Sequence, residues 1–133
     1  MFGSEESGFS VASEGGTIVR VHAWGFWDPQ LAATFPTAVA DACRGRRPVD
    51  LLLDVSRLKP QRDEGQEAFR QLMLAIKTTV RRVGVVVTNT ITRMQLARIS
   101  REAAAGNWSY FASESVAATT LAGKSTMTTK ETR

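Results

Sequence analysis

Val49-Asp50-Leu51-Leu52-Leu53-Asp54-Val55, bounded by Pro48 and a polar loop, is the stretch on which the fold turns. Successive side chains of a strand point to opposite faces, so three leucines in a row need cover on both sides. The run therefore reads as a parallel strand between two layers. Val83-Gly84-Val85-Val86-Val87 reads the same way. Between the two, Asp63 with Gln66 three residues on has the form of a helix-capping box. Phe69, Leu72, Met73, Ile76 and Val80 then recur at i, i+3, i+4, i+7 and i+11, the spacing of a helix with one buried stripe.

The pattern extends outward in both directions. Upstream, Phe9–Ser13 and Thr17–Trp24 read as strands joined by a Glu14-Gly15-Gly16 turn. In the second, Val19, Val21 and Ala23 form the core face, and Ile18, Arg20, His22 and Trp24 the other. Asp28-Pro29 opens a helix carrying Leu31, Phe35, Val39 and Ala42, stopped by Gly45. Pro36 inside it has no N–H to donate and must kink or split it. Downstream, Asn89 or Thr90 caps a helix running to Gly106, with Leu96, Ile99 and Ala103 inward and Arg93, Arg98 and Arg101 outward. Trp108–Ala112 is a last strand, and Ser113 caps a final helix that ends at Gly123. The order is β-β-α-β-α-β-α-β-α. It predicts an α/β domain over residues 9–122, with four main helices on a mostly parallel five-stranded sheet that has one antiparallel strand. Residues 1–8 and 123–133 lack apolar anchors and are expected to be disordered.

Composition narrows the function classes. A chain of 133 residues, 43% hydrophobic and 23% charged, is one ordinary globular domain. No apolar run approaches the ~18 residues of a membrane span, and the start lacks the pattern of a secretory signal, so a cytoplasmic protein without a membrane partner is expected. The single Cys43 and single His22 exclude a disulfide framework and a Cys/His zinc set, and neither metal nor cofactor is expected. There is no Gly-x-Ser-x-Gly and no phosphate-binding glycine loop; Gly123-Lys124-Ser125 sits in the tail without a strand before it. His22 on an outer face is not read as catalytic, Cys43 reads as a small buried hydrophobe, and no enzyme is expected. Trp24-Gly25-Phe26-Trp27 reads as core closure, with Trp27 stapling the next helix. The net charge of +4 comes with 17 basic residues, thirteen of them arginine. Nucleic-acid domains cluster such charge more densely, so the face formed by Arg93, Arg98 and Arg101 is a third-ranked reading.

The element order, the loop from Asp54 to Gly65 and the closing Tyr110-Phe111-Ala112-Ser113-Glu114-Ser115-Val116-Ala117 segment carry a family resemblance. Over residues 9–122 the chain resembles the STAS domain (sulfate transporter and anti-sigma factor antagonist), in particular the small stand-alone SpoIIAA-like bacterial proteins. In signalling members a strand aspartate is followed eight and nine residues later by Asp-Ser and then, two further on, by Gly. A partner kinase phosphorylates that serine and so switches binding off. Laid on without gaps, Asp54 and Gly65 match, Arg62 takes the aspartate position and Asp63 the serine position. The resemblance implies a regulatory protein-interaction domain without the acceptor hydroxyl, binding a protein partner through the 56–66 loop and the following helix. Its site residues would be Asp54, Ser56, Arg62, Asp63 and Glu64. The same fold class leaves a second reading open, a module for a small apolar ligand or lipid, and it also leaves a homo-oligomer open.

Overall fold

The computed structural model describes residues 1–13, 17–45 and 48–122. Its elements are β1 (Phe2–Gly3), β2 (Gly8–Ser13), β3 (Ile18–Gly25), α1 (Pro29–Cys43), β4 (Asp50–Leu58), α2 (Asp63–Ile76), β5 (Arg82–Val86), α3 (Thr90–Glu102), β6 (Trp108–Phe111) and α4 (Glu114–Ala122). The expected turn at Glu14-Gly15-Gly16, the Gly123 stop and the tail 123–133 lie outside the described residues.

The strands form one sheet in the order β1-β2-β3-β4-β5-β6. The β1–β2 and β2–β3 pairs are antiparallel, and β3 through β6 run parallel. Each parallel step moves the same way along the sheet through one helix, and right-handed crossovers then place α1, α2 and α3 on a single face. The buried faces are correspondingly unequal. On the α1–α3 face Val19, Val21, Leu51, Leu53, Val55 and Val85 pack against Phe35, Val39, Phe69, Leu72, Met73 and Leu96. On the other face Leu52 and Val86 meet Ala117 and Leu121 of α4, with Ile18 and Phe111 at the margin. The alternation read in the leucine run is the one observed: Leu51 and Leu53 go to the larger cluster, Leu52 to the smaller.

Several local expectations change. Pro36 does not split α1, which is continuous from Pro29 to Cys43. The strand that begins the leucine run extends past Val55 to Leu58, with Trp24 paired to Arg57 and Gly25 to Leu58 after a register shift beyond His22. Asp54 thus lies within the strand, not at its end. Within residues 1–8, Phe2–Gly3 forms β1: Phe2 pairs with Phe9 and stacks on it at 4.6 Å, and Trp24 Nε1 donates to the Ser4 carbonyl at 2.8 Å. At Gly25 (φ +78°) a Cβ would lie 2.1 Å from the Glu6 carbonyl oxygen, so this strap crosses where only a glycine fits. At the opposite edge Asp50, 1% exposed, accepts from Arg81 at 3.1 and 2.8 Å and from Arg82 at 3.2 Å. Hydrogen bonding to Asp50 raises the Arg81 guanidinium above its usual pKa. Arg82 also donates to the Leu121 carbonyl, which fastens the last turn of α4.

Candidate functional site

The carboxyl ends of β3, β4 and β5 deliver the chain into the first turns of α1, α2 and α3, the edge at which open α/β sheets collect ligands and partners. Asp28 caps α1, its Oδ1 accepting from Leu31 N at 2.7 Å, and Asn89 caps α3 by accepting from Thr92 N at 2.9 Å. The helix α2 differs. Arg62 is its N-cap and makes no side-chain cap hydrogen bond, while Asp63 and Glu64 occupy the first turn. The capping box expected of Asp63 and Gln66 is therefore not formed, because Asp63 is already inside the helix. Gln66 instead sends its Nε2 to the Gln61 carbonyl at 2.8 Å.

Gln61 organises this edge. It is 5% exposed; its Oε1 accepts from Trp27 N at 3.1 Å, and its Nε2 donates to the carbonyls of Gly25 at 3.1 Å and Lys59 at 2.7 Å. Its backbone exchanges two hydrogen bonds with the Gln95 side chain, at 3.0 and 3.1 Å, tying the loop to α3. Gly65 is required beneath it, since a Cβ there would stand 2.5 Å from Gln61 Oε1 and 2.6 Å from its Cβ. Trp27 packs below, stacked on Phe69 at 5.4 Å and in contact with Phe35 and Phe9, as the core-closure reading required. Phe26 stays exposed, with the Arg62 guanidinium 5.4 Å over its ring.

Beside this turn a groove of about 440 Å³ runs between α1 and α2. Its floor is Pro29, Ala32, Pro36 and Ala68; Asp63, Glu64 and Glu67 stand along one side. The floor is apolar because the residues that α1 and α2 turn toward it are prolines and alanines.

The five residues assigned to the interaction loop do not come together. Arg62, Asp63 and Glu64 begin α2 on the three-helix face. Asp54 and Ser56 alternate with Leu53 and Val55 and point to the α4 face. There Asp54 Oδ1 accepts from Ser56 N at 2.9 Å and Ser56 Oγ at 2.7 Å, and Asp54 Oδ2 lies 3.7 Å from His22 Nε2. Glu114, at the start of α4, places Oε1 3.9 Å from the same nitrogen while its Oε2 accepts from Arg20 at 3.1 Å.

Of the basic face Arg93, Arg98 and Arg101, Arg98 is engaged by its neighbours. Arg98 bonds to Glu102 at 3.3 Å and to Gln66 Oε1, and Arg70 bonds to the same Glu102. The Arg70 hydrogen bond, supported by Arg98, holds the Glu102 carboxyl below its usual pKa. Arg93 and Arg101 lie near Tyr110, whose hydroxyl burial pushes up in pKa against the opposing Ser100 hydrogen bond. Ile91 and Met94, both well exposed, share this helix face with Arg98 and Arg101.

Gln61 and Glu114 carried no signal in the sequence analysis. A glutamine in a polar loop and a glutamate at a helix start are ordinary surface choices, and decisive partners of theirs, Trp27 for Gln61 and Arg20 for Glu114, lie 34 and 94 residues away. Among the described residues no helix is long and apolar enough to cross a membrane.

Neither protein-family models nor curated proteins give a match to the chain. Solved structures do. An uncharacterized protein of the DUF3478 family with a SpoIIAA-like fold, from Shewanella loihica PV-4, superposes with a TM-score of 0.65 at 15% identity, over 89% of this chain and 97% of that one. An anti-sigma factor antagonist from Mycobacterium paratuberculosis superposes with a TM-score of 0.58 at 18% identity, over 92% of this chain and all (100%) of that one. At these identities the likeness is one of fold, and the chain has a SpoIIAA-like fold.

Proposed function

We infer that this chain is a non-enzymatic regulatory domain that binds a protein partner through the start of α2 and the groove between α1 and α2. The groove carries the reading: an apolar floor of proline and alanine with Asp63, Glu64 and Glu67 along its side suits an amphipathic segment with basic flanks. The fold shared with an anti-sigma factor antagonist supports a regulatory role of this kind. Asp63 takes the place of the switch serine in that reading, so the charge at this turn is permanent and weaker than the near −2 of a phosphate. Asp54 and Ser56, on the other face, lie outside this docking surface. Arg98 is engaged by Glu102 and Gln66, which weighs against duplex binding on α3.

The test is recovery of partners from native lysate by wild type and by a Glu64→Lys, Glu67→Lys double variant. Both positions are solvent-facing, and the double variant puts positive charge at the start of α2 and removes the Glu67–Arg70 ion pair, so it should still unfold cooperatively with stability lower by about 1 kcal/mol. A partner held by wild type and lost by the double variant supports the reading, and equal recovery by both overturns it. The apolar floor also favours the second reading, a small apolar or lipid ligand. Native mass spectrometry would then show an added mass on protein isolated from its own cells, and it would leave when Ala33→Trp, at an exposed position lining the groove, fills it.

A further inference from the structure

We propose that His22, Asp54 and Glu114 form a binding site for a borderline divalent cation such as Zn²⁺ on the α4 face of the sheet. The register of β3 and β4 places His22 directly opposite Asp54, and α4 begins at Glu114 above them. One nitrogen and two carboxylate oxygens converge there, all within 4.8 Å of one another. At 3.7 and 3.9 Å the two oxygens are too far from His22 Nε2 to hydrogen-bond with it. Around a tetrahedral ion with bonds of ~2.1 Å the ligand atoms stand roughly 3.4 Å apart, so small side-chain adjustments bring all three onto one ion.

The second observation is how each carboxylate is held. Asp54 has one oxygen fixed by two donors from Ser56, which leaves Oδ2 aimed at the histidine. Glu114 has one oxygen fixed by Arg20, which leaves Oε1 aimed at the same point. Ligating carboxylates are oriented in this way by outer partners. Asp54 is largely shielded from solvent, so its oxygen is not fully screened, and the two carboxylates outweigh the single charge of Arg20, which leaves a net negative charge facing the site. Three protein ligands leave a further position on the ion for water or an exogenous anion. A mixed nitrogen and oxygen set favours Zn²⁺ or Co²⁺ over Mg²⁺, which prefers oxygen and retains its waters. Such an ion would join β3, β4 and α4, the part of the molecule with the smaller buried cluster.

His22 is the one histidine of the chain, which makes the readout specific. The full chain is titrated with Co²⁺ at pH 7.5, following visible absorption and the paramagnetic broadening of the single imidazole signal, with Zn²⁺ as competitor and Mg²⁺ as comparison. Stoichiometric binding displaced by Zn²⁺ but not by Mg²⁺ is expected, with a higher Tm in Zn²⁺ by mass action. His22→Asn, Asp54→Asn and Glu114→Gln should each weaken binding at least tenfold, and Ser56→Ala, which removes one of the two donors holding Asp54 Oδ1 and keeps the backbone N–H, by no more than about tenfold. Asp63→Asn lies on the opposite face and should leave metal binding unchanged, so this site and the docking groove stand or fall separately. No Co²⁺ spectrum and no Zn²⁺ shift in Tm at millimolar metal would overturn the proposal, as would full affinity in His22→Asn.

Discussion

Gln61 shows how much one polar residue can hold. Its side-chain oxygen and amide nitrogen are both engaged, and the Trp27 N–H and Gly25 carbonyl that they serve are buried. Gln61→Leu fills a similar volume but leaves these groups unmet, at about 1–3 kcal/mol, measurable as a lower urea midpoint. Gly65→Ala attacks the same place from below. The new methyl meets the Gln61 Cβ as well as its amide, so rotating the amide away does not relieve it, and a loss of about 1–3 kcal/mol is expected. A wild-type midpoint in either variant would mean that the loop rearranges freely and that this edge is not built around Gln61.

The three helices that start at this edge are begun differently, and the difference is measurable. Asp28 satisfies a free N–H of α1, so Asp28→Ala should lower stability by about 0.5–2 kcal/mol. Asp63 makes no such bond. Its contribution to α2 is its charge near the positive helix end, about 0.3–1 kcal/mol at most, and Asp63→Ala should cost less than Asp28→Ala. Urea denaturation of the two variants in parallel decides the matter: a larger loss at Asp63 would restore it as a cap. The sequence supports either reading, because an acidic residue three before a glutamine fits a capping box and also fits a first turn. The choice rests on where the loop leaves β4, and β4 runs to Leu58 because β3 pairs with it that far.

The N-terminal strap bears on the stability of the whole sheet. Phe2 stacks on Phe9, and Phe9 contacts Trp27 and Phe35, so the first residues touch the aromatic centre through one intermediary. Removing residues 1–7 deletes an aromatic pair and the Trp24 hydrogen bond, and should cost about 1–3 kcal/mol with unfolding still cooperative. Thermal unfolding of the shortened chain checks this; an unchanged Tm would show the strap to be a surface ornament. The sequence had marked this segment as unanchored, since one phenylalanine among Gly, Ser and Glu has no periodicity to read. What the sequence did determine was the layered α/β plan. Three leucines in a row demand cover on both faces, and a 3.6-residue stripe from Phe69 to Val80 can face only one way. Both are local patterns, legible without knowing any partner. Period-two alternation also separates Asp54 from Leu53, but it does not say which helix covers which side. That was decided by the handedness of three crossovers, which sent α1–α3 to one face and left the other to α4. So Asp54 parts from Asp63, nine residues on, and joins His22 and Glu114, because contacts between faces and distant strands are properties of the packed sheet rather than of neighbouring residues.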